Sequence, residues 1–151
     1  YRGFDEQATE HRWCFGHGLT YTTFDWGATT VDRDELPIAG DDPRRHRTAV
    51  TLRVEVTNAG DVAAHEVVQC YLHDGTGQVR RPDQELRAYA KVLLGPGETR
   101  SVELHVDERA FAAWEPVTGR WTVAPGDFEL RVGPSSRDLR GVVPVTVVDA
   151  E

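Results

Sequence analysis

The sequence predicts an all-β fold, a two-sheet antiparallel sandwich preceded by an irregular N-terminal arm, and three observations carry that expectation. Apolar residues recur at every second position in several short stretches. Turns containing Gly and Pro separate those stretches at regular intervals. No convincing helical pattern lies between them.

The stretches run as follows. In TAVTLRVEV, Val50, Leu52, Val54 and Val56 alternate with Thr51, Arg53 and Glu55, so one face meets a core and the other meets water. Asn58-Ala59-Gly60-Asp61 then predicts a turn, with Asn and Gly supplying positive φ. HEVVQCYLH is apolar on both faces, as a central strand covered on two sides would be. LRAYAKVLL and RSVELHV flank Gly95-Pro96-Gly97-Glu98 and predict a hairpin. Trp121-Thr122-Val123 leads through Ala124-Pro125-Gly126-Asp127 to FELRV, where Phe128, Leu130 and Val132 share a face. The last strand is VVPVTVV, with Pro144 marking an edge or a bulge. Short strands in this number argue for a sandwich of the immunoglobulin or fibronectin type III kind over residues 47–151. Residues 1–46 form the arm: a polar opening, the aromatic stretch WCFGHGLTYTTFDW at 13–26, and a polar loop about twenty residues long.

Composition narrows the function classes. At 151 residues the chain holds one domain and a real core. A net charge of −8 excludes nucleic acid and a membrane surface as partners unless a basic patch exists. The candidates, Arg44 to Arg47 and Arg80 with Arg81, sit beside Asp41, Asp42, Asp83 and Glu85 and are expected to be solvated loops. No stretch has the apolar length of a membrane helix, so a soluble chain is expected, with the compartment, cytoplasmic or secreted, left open. The absence of Met and the opening at Tyr1 suggest a piece of something longer. One lysine, Lys91, against sixteen arginines hints at GC-rich bacterial coding. Cys14 and Cys70 make no disulfide framework, and Cys70 is expected as a buried thiol.

Catalytic and metal signatures are thin. Gly16-His17-Gly18 lacks the ending of a phosphate loop, and His17 has no partner at diagnostic spacing. Cys70 and His73 fall on opposite faces of one strand, which argues against zinc; no metal or cofactor is expected. No nucleophile elbow occurs, and no two carboxylates stand out as a glycosidase pair. Trp26, Trp114 and Trp121 are candidates for a sugar-stacking platform, although burial is the commoner fate of tryptophan.

Five collinear blocks carry a resemblance: YRGFD at 1–5, CFGHGLTYTTF at 14–24, VTNAGDVAAHEVVQCYL at 56–72, RRPDQELRAYAKVLLGPGET at 80–99 and PGDFELRVGPSSRDLR at 125–140. In that order they resemble the C-terminal part of glycoside hydrolase family 3 β-glucosidases, which ends in a fibronectin type III-like domain. Departures are small. Trp13-Cys14-Phe15 stands where Phe-Pro-Phe is usual, Thr20 replaces Ser, and Asp83-Gln84 replaces a segment that often carries Lys. The resemblance implies that the nucleophilic aspartate lies in an upstream (β/α)8 barrel and the acid/base glutamate in a following α/β domain. By that implication this chain alone is not an enzyme, and none of its residues is catalytic. It would be the accessory, stabilising domain of an enzyme that cleaves terminal β-D-glucosidic or related bonds with retention.

The implied partners are the catalytic domains of the same glycosidase, joined covalently or present as a separate chain. Trp13, Phe15, His17, Leu19, Tyr21 and Phe24 are the expected interdomain contacts, with Gly16 and Gly18 permitting the turn between them. Arg80, Arg81 and Asp83, on the loop at 73–86, are candidates for the active-site rim. Two other readings stay open: an independent carbohydrate- or protein-binding module, and a structural subunit of a cleaved or split glycosidase.

Overall fold

The computed structural model describes residues 1–40, 43–44 and 46–150. Among them one short helix, α1 (Arg2–Glu6), precedes ten strands: β1 (Phe24–Val31), β2 (Glu35–Ile38), β3 (Thr48–Asn58), β4 (Ala64–Asp74), β5 (Glu85–Leu94), β6 (Thr99–Asp107), β7 (Ala113–Glu115), β8 (Arg120–Thr122), β9 (Gly126–Gly133) and β10 (Gly141–Asp149). A 3-10 turn, Glu108–Phe111, links β6 to β7, and the Asp107 carboxylate caps it by accepting from the Ala110 N–H at 2.8 Å.

The strands form two facing sheets. One has the order β1-β3-β6 and the other β2-β10-β9-β4-β5, with β7 and β8 as a separate ribbon. The alternation in β3 does what its pattern demands: Val50, Leu52, Val54 and Val56 are buried, opposite Val102, Leu104 and Val106 of β6. Leu72, Cys70 and Val68 of β4, with Phe128, Leu130 and Val132 of β9, face them from the second sheet. Burial pushes the Cys70 thiol up to about 12, so it stays protonated and behaves as an apolar core residue. Pro144 pairs with Glu129 of β9, whereas β2 reaches β10 only from Thr146 onward. The missing N–H of Pro144 therefore falls on a free edge.

Three expectations need correction. The sandwich does not begin at residue 47, because β1 and β2 lie inside the expected arm and each completes one sheet. Leu36 and Ile38 are core residues, and Phe24, Trp26 and Val31 pack against the core. A polar run hid them: in DELPIAG only two apolar side chains face inward, and β2 pairs in parallel with a strand far away in sequence. Next, β5 and β6 belong to different sheets, so Gly95–Glu98 is an inter-sheet crossing rather than a hairpin turn. The turn after β3 also works differently. Neither Asn58 nor Gly60 has positive φ; the buried Asn58 side chain donates to Val62 and Leu94 carbonyls at 2.8 and 3.0 Å and accepts from Thr22 Oγ1 at 2.5 Å. Of the basic run at 44–47, Arg47 pairs with Glu108 at 3.1 Å, whereas Arg45, Asp41 and Asp42 lie outside the described residues.

The β9–β10 connection is tight at Gly133. A Cβ there would overlap the Asp138 carbonyl oxygen and sit 2.9 Å from Leu139 Cα. Gly133→Ala is therefore expected to cost about 1–3 kcal/mol through overpacking. A lower urea midpoint with unchanged slope would show it; an unchanged midpoint would mean that the loop relaxes freely.

Candidate docking face

The outer surfaces of the two sheets differ in kind. On the three-stranded sheet, Arg53 and Glu55 of β3 and Ser101, Glu103 and His105 of β6 all point to solvent, with Arg53 and Glu103 paired at 2.7 Å. Such a face needs no cover. On the five-stranded sheet, β4 places Gln69 and Tyr71 outward, yet both are buried. Their cover is the N-terminal arm.

Tyr1 begins that cover. Its ring meets Tyr71 edge-on at 5.7 Å and Phe15 at 5.1 Å, and its hydroxyl accepts from the Leu86 N–H at 2.7 Å. The Tyr71 hydroxyl donates to Gln69 Oε1 at 2.5 Å, and Gln69 Nε2 donates to the Pro134 carbonyl. Burial, with Tyr1, Cys14 and Asp5 nearby, pushes the Tyr71 phenol up, so it remains a donor. Further along, the Ser136 N–H donates to the Phe15 carbonyl at 2.9 Å, and Asp5 pairs with Arg137 at 2.7 Å. Gly16 is required at its position: φ is +84°, and a side chain would strike the Gln69 amide. Gly18 has no such φ.

With the backbone so pinned, the aromatic stretch turns much of its apolar surface outward. Trp13 is 62% exposed, Phe15 47%, Leu19 92% and Tyr21 96%. His17 is exposed and stacks on Trp13 at 4.7 Å. Phe24 departs from the group, since it packs on the core at the start of β1. Arm and sheet enclose a groove of about 530 Å³ that runs past Gly16, Leu19, His65, Glu66 and Arg140. Burial raises the Glu66 carboxyl above its usual range despite the bond from the Val67 N–H.

The rim candidates separate. Arg80 is exposed and pairs with Glu6, and Asp83 is exposed and takes Arg131 at 2.9 Å. Arg81 is withdrawn. It grips Glu85 at 2.7 and 2.9 Å and donates to the Ala110 and Phe111 carbonyls, each at 3.0 Å. Burial works to raise the Glu85 carboxyl, but the Arg81 hydrogen bonds and the charges of Arg87, Arg81 and Arg2 outweigh it and hold the group below its usual range.

The tryptophan candidates also separate. Trp26 packs against the core. Trp114 and Trp121 face each other across β7 and β8 with rings 5.6 Å apart and 64° between planes, and the Arg109 guanidinium lies 3.9 Å above Trp121. Tilted and partly capped, they make no flat stacking surface; they stabilise the ribbon as a cross-strand pair. Among the described residues no group of three or more His, Cys, Asp or Glu side chains could hold a metal ion, and no helix is long and apolar enough to cross a membrane.

Comparison with known proteins accounts for the architecture. Residues 66–136 match the family model of the fibronectin type III-like domain. Thermostable β-glucosidase B of Acetivibrio thermocellus is 37% identical over 92% of this chain, which spans 17% of that protein. An exo-α-(1→6)-L-arabinopyranosidase of Bifidobacterium breve is 36% identical over 97% of the chain and is matched over 18% of its own length. Among solved structures, the family 3 β-glucosidase of Bifidobacterium adolescentis superposes with a TM-score of 0.82 at 35% identity, covering 97% of this chain and 20% of that one. The chain thus spans about a fifth or less of the relatives it matches. It is a fibronectin type III-like domain of the kind that forms part of glycoside hydrolase family 3 enzymes.

Proposed function

We propose that this chain is a non-catalytic accessory domain that docks, through its arm and the outer face of the five-stranded sheet, onto the catalytic domains of a β-glucosidase-like glycoside hydrolase. One observation carries the reading: an arm hydrogen-bonded firmly to the sandwich holds Trp13, Phe15, Leu19 and Tyr21 in water. Clustered large apolar side chains on an ordered backbone mark an interaction surface. At about 25 cal/mol per Å² of apolar area, burying several of them supplies several kcal/mol of gross docking energy. The catalytic carboxylates then belong to the remainder of the parent, and this domain sets orientation and heat stability. Within the proposed rim loop, Arg80 and Asp83 are available for contact, while Arg81 holds the loop in shape.

Leu19→Ser with Tyr21→Ser tests the reading. Both side chains are almost free in this chain, so its own stability should change by no more than about 0.5 kcal/mol. In the complete parent enzyme the same pair should lower the melting temperature by several degrees. Equal melting of the parent and its variant would remove docking through this segment.

A further inference from the structure

The groove beside the exposed aromatic residues carries one charge that this chain does not neutralise. Leu19 of the arm and Glu66 and Val67 of β4 wall it, with Arg137, Asp138 and Arg140 of the β9–β10 loop. The loop charges are already matched: Arg140 donates to both Asp138 oxygens at 2.5 and 2.7 Å, and Arg137 pairs with Asp5 at 2.7 Å. Glu66 is left over. Its Oε1 accepts from the Val67 N–H at 2.7 Å, and among the described residues it forms no ion pair. Arg140 acts on it only at longer range, and the nearby Asp138 opposes that help.

Partial burial makes this imbalance matter, since desolvation already raises the Glu66 carboxyl above its usual range. Covering the groove withdraws the carboxylate further from water. A purely apolar cover would leave an uncompensated buried charge, whereas a cover that brings a cation meets it where the low dielectric strengthens their attraction. Leu19 and Tyr21, 92% and 96% exposed, supply apolar contact along the same segment of the arm. We propose, building on the docking described above, that the surface of the catalytic domains covering this groove presents a basic side chain, arginine or lysine, which enters the groove and pairs with Glu66. The partner surface is therefore apolar opposite Leu19 and Tyr21 and positively charged opposite Glu66.

Glu66→Gln tests the pairing by a reversal of sign. In this chain alone the substitution keeps an acceptor for the Val67 N–H and removes a desolvated charge, so the urea midpoint should hold or rise. In the complete parent enzyme it strands the partner's cation without its countercharge, so the melting temperature should fall by several degrees. Glu66→Lys should lower the parent's melting further, because like charges then meet in the groove. The Leu19→Ser, Tyr21→Ser parent serves as the control for docking itself. If that control melts lower while Glu66→Gln leaves the parent unchanged or more stable, docking stands and the cation at Glu66 is excluded. Equal melting of every variant removes both. An equal loss of stability in the chain and in the parent would make Glu66 a structural residue of the sandwich and overturn the pairing.

Discussion

Glu85→Ala is expected to destabilise the chain by about 3–5 kcal/mol, the cost of breaking a buried ion pair by deleting one member. The carboxylate is 8% exposed and meets three guanidinium groups: Arg81 at 2.7 Å, Arg87 at 2.8 Å and Arg2 at 3.0 Å. Without it, Arg81, itself 8% exposed, keeps among the described residues only Asp74 at 3.6 Å as a countercharge. Arg2 also loses the contact that ties α1 to β5. Urea denaturation of Glu85→Ala and Glu85→Gln separates the contributions, because Gln retains an acceptor and loses the charge. A loss below about 1 kcal/mol in both would place the cluster with ordinary exposed pairs.

The same group gives a pH signature. Its folded carboxyl titrates below the ordinary 4.5, so its stabilisation is complete above that value and is lost as pH falls through the lower folded one. Glu66 acts in the opposite sense. Its raised carboxyl opposes folding at neutral pH, and the opposition relaxes on acidification. Stability of the native sequence should therefore fall more steeply below pH 4.5 than that of Glu85→Gln. Parallel curves would mean that another group governs acid unfolding.

The strands legible in the sequence were those with a self-contained signal. In β3 and β6 each second residue is apolar, and turn residues mark one end of each, Asn58-Ala59-Gly60-Asp61 after β3 and Gly95-Pro96-Gly97 before β6, so local pattern and tertiary environment agree. β2 had no such signal: four residues, one of them proline, become a strand only because β10 offers an edge. Which strands share a sheet was also hidden, since the crossing at 95–98 and a hairpin use the same turn residues. The aromatic arm was visible as an anomaly in composition. Its placement on Gln69 and Tyr71 was not, although two outward positions of β4 occupied by a glutamine and a tyrosine amid apolar residues were a trace of it. The Glu85 cluster and the groove around Glu66 assemble residues far apart in sequence, and no spacing along the chain announces either one.

Phe128→Ala should cost about 3–5 kcal/mol by opening a cavity in the core. Phe128 is 1% exposed on β9, and its ring meets Phe111 edge-on at 5.3 Å. Phe111 closes the 3-10 turn whose Ala110 and Phe111 carbonyls accept from Arg81, the residue that also grips Glu85. Core and ion cluster therefore meet through one short backbone segment. If removing the Phe128 ring lets that segment sink, the Arg81 hydrogen bonds lengthen, and part of the Glu85 contribution is already gone before Glu85 is changed. Phe128→Ala combined with Glu85→Gln should then cost less than the sum of the single variants, by about 0.5 kcal/mol or more. Strict additivity in urea denaturation would mean that the turn stands rigid without its aromatic support, with the apolar core and the polar cluster holding the sandwich independently.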